Sequence, residues 1–168
     1  MMEAARTRTI TWDDPTPGTQ AAPALSGLEY MQALIAGTLP HPPISVLMNF
    51  RLVEAAFGRS VFVGEPAEYH YNPIGMVHGG LVATLLDSAL GCAVHTTLPA
   101  GVGYTTLELH VNFVRPVTKD TGELRCEGVV LHAGRRLATA EAKVFDGAGK
   151  LYGHGTTTCM VFPADTNG

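Results

Sequence analysis

The chain has 168 residues, 46% of them apolar and 15% charged, with a formal net charge of −4 at pH 7. That length favours one domain with a sizeable core, and the mild acidity gives no basic field for nucleic acid. The three cysteines, Cys92, Cys126 and Cys159, have no paired spacing and predict reduced thiols in a cytoplasmic protein, used as small buried apolar residues.

The N-terminus has no apolar core of signal-peptide length. Residues 1 to about 25 are rich in Pro, Thr, Ala and Asp and predict a mobile or loosely docked arm. Ser26 is placed to cap a short helix over 27–36, with Leu28, Met31, Leu34 and Ile35 at helical spacing and Gly37 as its stop. The run Leu39-Pro40-His41-Pro42-Pro43 reads as a rigid linker. Two strands follow, Met48 to Phe57 and Ser60 to Tyr69, joined at Gly58-Arg59.

Next comes YNPIGMVHGGLVATLLD, Tyr71 to Asp87. A turn-rich segment leads through His78 into Gly79 and Gly80, and a helix is predicted from about Gly79 to Thr97. The helix is apolar nearly all round, so it is expected to be buried nearly all round. One stripe differs, carrying Gly80, Ala83, Thr84, Asp87, Gly91 and Val94. Asp87, Ser88 and His95 interrupt the apolar run from Leu81 to Leu98, so no membrane span is expected.

Strands are predicted from there to the end. Thr106 to Phe113 alternates with period two, placing Leu107, Leu109, Val111 and Phe113 on one face and Thr106, Glu108, His110 and Asn112 on the other. A strand from Leu124 to His132 turns at Ala133-Gly134-Arg135 into a strand from Arg136 to Phe145. The second of these has an alanine face, Ala138, Ala140 and Ala142, suited to close approach of a helix. Asp146-Gly147-Ala148-Gly149 is a hairpin turn into a last strand, Leu151 to Phe162. Short connections make the sheet mostly antiparallel. The fold class is α+β, a curved antiparallel sheet wrapped around one long central helix with an N-terminal helical extension, a pattern that fits the hotdog architecture and other wrapped sheets alike. The expected division is an arm and short helix at 1–45, the wrapped-sheet domain at 46–163 and a tail at 164–168.

The chemistry concentrates around Asp87. A mid-helix aspartate has poor helix propensity, and a buried unpaired carboxylate is costly, so the residue has either a task or a firm partner, such as an ion pair at a subunit interface. Gly79-Gly80 at a helix start can expose unpaired N–H groups to a developing oxyanion, or can simply turn the chain tightly. His78 is read as ordering the turn before acting as an acid, and Asn72 as a turn residue. Glu108, His110 and Asn112 belong to an interface or solvent face. No His or Cys pair has metal-ligand spacing, so no metal is expected.

The run Asn72-Pro73-x-Gly75-x-x-His78-Gly79-Gly80, followed by Leu85-x-Asp87, resembles the signature of the PaaI-type acyl-CoA thioesterases of the hotdog superfamily. Thr106 to Pro116, Gly134-Arg135-Arg136 and Gly149 to Tyr152 are similar to its later blocks. The resemblance implies that the Gly79 N–H polarises the thioester carbonyl and that Asp87 acts as general base or nucleophile. It implies further that Asn72 holds the thioester end, that Thr106 positions water, and that Gly134, Arg135 and Arg136 approach the CoA phosphates. The expected reaction is hydrolysis of an acyl-CoA, aromatic or medium-chain, with no cofactor, since CoA is part of the substrate. A protein that binds acyl-CoA or an aromatic acid without turnover would share the fold. Eight helical residues rise about 12 Å, so the Gly79 N–H and the Asp87 carboxylate of one chain can hardly meet at one carbonyl. This predicts a homodimer with shared sites, and relatives suggest a homotetramer.

Overall fold

The computed structural model describes residues 5–163. The arm's first four residues and the tail at 164–168 lie outside the described residues. Four α-helices precede or cross the sheet: α1 Thr16–Ala21, α2 Gly27–Ile35, α3 Pro43–Met48 and α4 Gly79–His95. The strands are β1 Phe50–Ala56, β2 Arg59–Gly64, β3 Val102–Phe113, β4 Leu124–Ala133, β5 Leu137–Asp146 and β6 Leu151–Pro163. They form one sheet in the order β1-β2-β4-β5-β6-β3, antiparallel throughout, and α4 packs across it. This is the hotdog fold.

Small residues let the sheet approach the helix. Ala138, Ala140 and Ala142 are at most 2% exposed. A Cβ at Gly128 of β4 would stand 2.3 Å from the Ala89 carbonyl oxygen, so only glycine fits there. The Ser60 hydroxyl donates to that same carbonyl at 2.7 Å, which satisfies a buried polar group. Between these supports, Leu85, Leu86 and Leu90 of α4 are fully buried. Each contributes about 1.5–3 kcal/mol of hydrophobic stabilisation.

The helix is not buried all round. Ala83, Thr84, Asp87, Ser88, Cys92 and His95 are only half-buried, and they follow one another at spacings of one, three and four along one open stripe. The sheet covers the other faces of α4, and on this stripe it reaches Asp87 and His95 through Thr106 and Tyr104 of β3.

Ser26 caps α2 in a full capping box with Glu29, and Gly37 follows with a φ of +71°. The strand expected from Met48 begins instead at Phe50. Pro43, free to occupy a first helical turn, starts the short α3, which crosses the expected boundary at residue 45. Asn49, with a φ of 56°, stops α3 in the left-handed conformation. The next strand ends at Gly64 rather than Tyr69, because Pro66 lacks the N–H a ladder needs. The arm is docked, not loose. Both Arg8 terminal nitrogens donate to the α3 carbonyls of Val46 and Leu47, at 2.9 and 2.8 Å, and the guanidinium lies 4.0 Å from the Tyr69 ring centre. Arg6 pairs with Glu68 at 2.9 Å.

The strict alternation expected for β3 breaks. A β-bulge between Thr106 and Glu108 throws Leu107 outward, 56% exposed. Thr106 therefore faces inward together with Leu109 and Val111, not opposite to them.

Candidate active site

The turn before α4 is wound by Asn72. Its Oδ1 accepts from the backbone N–H groups of Ile74 and Met76 at 3.1 and 3.2 Å, and its own N–H donates to the Met76 carbonyl at 2.7 Å. Gly75 supplies the left-handed residue, with a φ of +80°. The Asn72 amide nitrogen has no acceptor among the described residues, and Asn72 lines a cavity of about 530 Å³.

His78 is the N-cap of α4. Its N–H donates to the His70 carbonyl at 2.8 Å, and its Nδ1 accepts from the Gly80 N–H at 2.8 Å. The second glycine's donor is thereby used. The Gly79 N–H has no acceptor among the described residues, and Gly79 and Asn72 line the same cavity. The Phe113 ring stands 3.0 Å from where a Gly79 Cβ would be, so the ring covers the glycine closely. One free N–H, at the positive end of a helix of 17 residues, points to where an oxyanion would be stabilised.

Asp87 sits two turns further on, in the wall of a second cavity of about 500 Å³. The Thr106 hydroxyl donates to its Oδ1 at 3.0 Å, a contact made possible by the β3 bulge. Among the described residues no cation pairs with this carboxylate. Apolar side chains, Leu34, Phe50, Leu52 and Phe62, form much of the cavity around it. Desolvation pushes the nearby Cys92 thiol up to about 12, so it stays protonated and is no nucleophile at neutral pH. Burial likewise raises the Tyr104 hydroxyl and lowers the His95 imidazole, keeping both neutral there.

Five of the eight predicted site residues thus fall into two groups. Asn72, His78 and Gly79 share one cavity; Asp87 and Thr106 share the other. Gly134, Arg135 and Arg136 form the β4–β5 hairpin, border neither cavity, and both arginine side chains are exposed. Sequence reasoning missed Tyr104, His95, Phe113 and the α2 wall. The half-polar stripe of α4 was the available signal for His95, since it falls eight residues after Asp87.

Fold and site together define a hotdog protein with an acid on its central helix and a bare N–H at the start of that helix. A family model described as the thioesterase superfamily matches residues 74–152. Human acyl-coenzyme A thioesterase 13 is 32% identical over 114 residues, 67% of this chain and 80% of that protein. A Halobacterium salinarum relative is 39% identical over 72 residues, 42% of this chain; the chain spans about half of that protein's length, 46%. The solved structure of a variant of the phenylacetic acid degradation protein PaaI from Thermus thermophilus superposes with a TM-score of 0.64 at 28% identity, covering 71% of this chain and 98% of that one. The chain belongs to the thioesterase superfamily, and PaaI-type proteins are among its structural neighbours. No helix among the described residues is long and apolar enough to cross a membrane.

Proposed function

We propose that the protein hydrolyses an acyl-CoA to the free acid and CoA in the cytoplasm, as a homodimer or dimer of dimers with shared sites. The carrying observation is Asp87, a carboxylate with one oxygen held by Thr106, no cation partner among the described residues, and an apolar cavity beside it. A protein that only bound its ligand would have no use for such an acid. Asp87 takes a proton from water as the water adds to the thioester carbon. The negative charge forming on the carbonyl oxygen is met by the Gly79 N–H, with the Asn72 amide beside it. The C–S bond then breaks and CoA leaves as the thiol, taking up the proton.

The Gly79 and Asp87 that serve one thioester come from different chains in this reading. Its support is the long edge strand β3, which has a neighbour on one side only and carries Thr106 at one place and Phe113, the cover of Gly79, at another. Two such edges related by a two-fold axis bring one chain's Gly79 toward the other's Asp87. The exposed pair Arg135 and Arg136 forms no ion pair among the described residues, which leaves it open to CoA phosphates.

Free-thiol release from aromatic, short, medium and long acyl-CoAs, with Asp87→Asn beside the wild type, tests the reading. Release by the wild type that the variant loses supports it; binding of the same thioesters without release overturns it in favour of a non-catalytic binder. Replacing both hairpin arginines with alanine is expected to raise KM for acyl-CoA several-fold and to leave the KM for an acyl-pantetheine, which lacks the nucleotide phosphates, unchanged.

A further inference from the structure

The cavity at Asp87 reaches far beyond what hydrolysis requires. From the acid, the face of α4 that lines the cavity continues through Ser88, Gly91 and Cys92 to His95, a rise of about 12 Å. Facing the stripe are Tyr104 and Thr106 of β3 on the sheet side and, opposite them, the N-terminal segment, through Tyr30, Met31 and Leu34 of α2, His41, and Ile44 of α3. Three rings gather at the His95 end of the stripe. Tyr30 lies 5.6 Å from His95, and His95 lies 5.3 Å from Tyr104, between ring centres. Gly91 has no side chain because the Tyr104 ring takes that space; a Cβ there would meet the ring and hydroxyl at 3.0 Å.

This wall is fixed at both ends. The Gly27 N–H donates to the Leu98 carbonyl at 3.0 Å, and a Cβ at Gly27 would come within 1.7 Å of the His95 carbonyl oxygen. The start of α2 is therefore seated on the end of α4 more closely than any other residue allows. At the other end Arg8 ties the arm to α3. The family model begins only at residue 74, so this wall lies outside the part of the chain it matches. A pocket wall seated this firmly holds a shape, and shape is what discriminates between acyl groups of different length.

We propose that the segment Thr16–Met48 is the specificity wall of the acyl pocket: the acyl group runs from Asp87 between α2 and the open stripe of α4, and the Tyr30–His95–Tyr104 rings stop it at medium chain length. The proposal rests on the thioesterase reading only for which end of the ligand meets Asp87. Its tail is apolar, because Met31, Leu34, Phe50 and Leu52 line its path. The aromatic rings at the end are neutral and form a stop, not a charged anchor.

The test is a chain-length profile of kcat/KM from acetyl-CoA to palmitoyl-CoA for the wild type, Tyr30→Ala and Ile44→Trp, each checked by circular dichroism for its native fold. The wild type is expected to peak at medium length. Tyr30→Ala opens the stop and raises the ratio of long to medium substrates by about tenfold, the gain expected from burying two more methylenes. Ile44→Trp narrows the wall and moves the optimum to shorter chains. If both variants fold and both profiles match the wild type, the wall does not select acyl length and the proposal fails while the thioesterase stands. If the wild type releases no thiol at all, the activity reading fails separately. Calorimetric Kd values for the same acyl-CoAs then decide the wall: a Kd that follows chain length and shifts in Tyr30→Ala upholds it, and a Kd independent of length overturns it.

Discussion

At the start of α4 the polar chemistry belongs to the backbone; two turns later it belongs to a side chain. Gly79 offers an N–H kept free because His78 absorbs its neighbour's, and the surroundings are a turn and an open cavity. Asp87 offers a carboxylate kept in place by Thr106, and its surroundings are apolar. The first group suits a charge that appears only during reaction. The second suits a proton transfer that needs a fixed base. One helix supplies both, but its own pitch separates them by about 12 Å, so in the shared-site dimer proposed above each protomer would hold one half of each site.

The sharpest way to break this comparison is to disable each half alone. Asp87→Asn keeps the shape and the Thr106 contact but removes the base. The expected loss in kcat is about 10²–10⁴-fold, with ligand Kd little changed. At the other half, Gly79→Pro deletes the N–H. Proline is tolerated at the first helical position, and His78, with φ −60° and ψ 134°, already has the extended conformation a residue before proline requires. The ring needs the space of Phe113, so the variant is made together with Phe113→Ala and compared with Phe113→Ala alone. The comparison is expected to show a loss of about 10²–10³-fold in kcat with little change in melting temperature. If, as proposed, the halves of a site sit on different chains, mixing the two inactive variants is expected to restore about a quarter of the wild-type activity in a random population of dimers. Mixtures that stay inactive after subunit exchange would place both groups in one chain's site.

Thr106→Val tests the support of the acid. A hydrogen bond to a carboxylate contributes about 1.5–3 kcal/mol, and losing part of it is expected to cost roughly tenfold in kcat. Thr106→Ser keeps the hydroxyl and is expected to stay near wild type. A Val variant with undiminished kcat would mean that the apolar cavity alone orients Asp87.

The two halves were not equally legible in the sequence. The turn, the glycine pair and the acid at a fixed helical offset are local features, and the structure places each on the element expected for it. The alanine face of β5 and the Ser26 cap were equally readable, since each depends on spacing within a few residues. Thr106 was assigned a face by strict alternation, and alternation fails there. The bulge at Leu107 comes from the register of β3 on β6, set by contacts about fifty residues apart, and leaves no local mark. The docking of the arm was hidden for the same reason: Arg8 reaches the α3 carbonyls 38 and 39 positions away, and nothing near Arg8 announces them. Long-range register and docking built the cavity at Asp87, whereas local chemistry built the turn at Gly79.

The smallest expected effect separates capping from catalysis at His78. Its Nδ1 accepts from the Gly80 N–H, the second helical position, which is the usual partner of an N-cap side chain. His78→Ala leaves that N–H free and is expected to cost about 1 kcal/mol of stability. It also places a second bare donor beside Gly79, so the carbonyl oxygen has two competing positions and kcat falls by a small factor. Asparagine is a good cap with a short acceptor, and His78→Asn is expected to restore the melting temperature. If the histidine only orders the turn, Asn restores kcat as well, because the donor at Gly80 is occupied again. If stability returns and kcat does not, the Nε2 nitrogen, protonated while Nδ1 accepts, is donating to the reacting thioester, and the backbone half of the site would carry a side-chain acid after all.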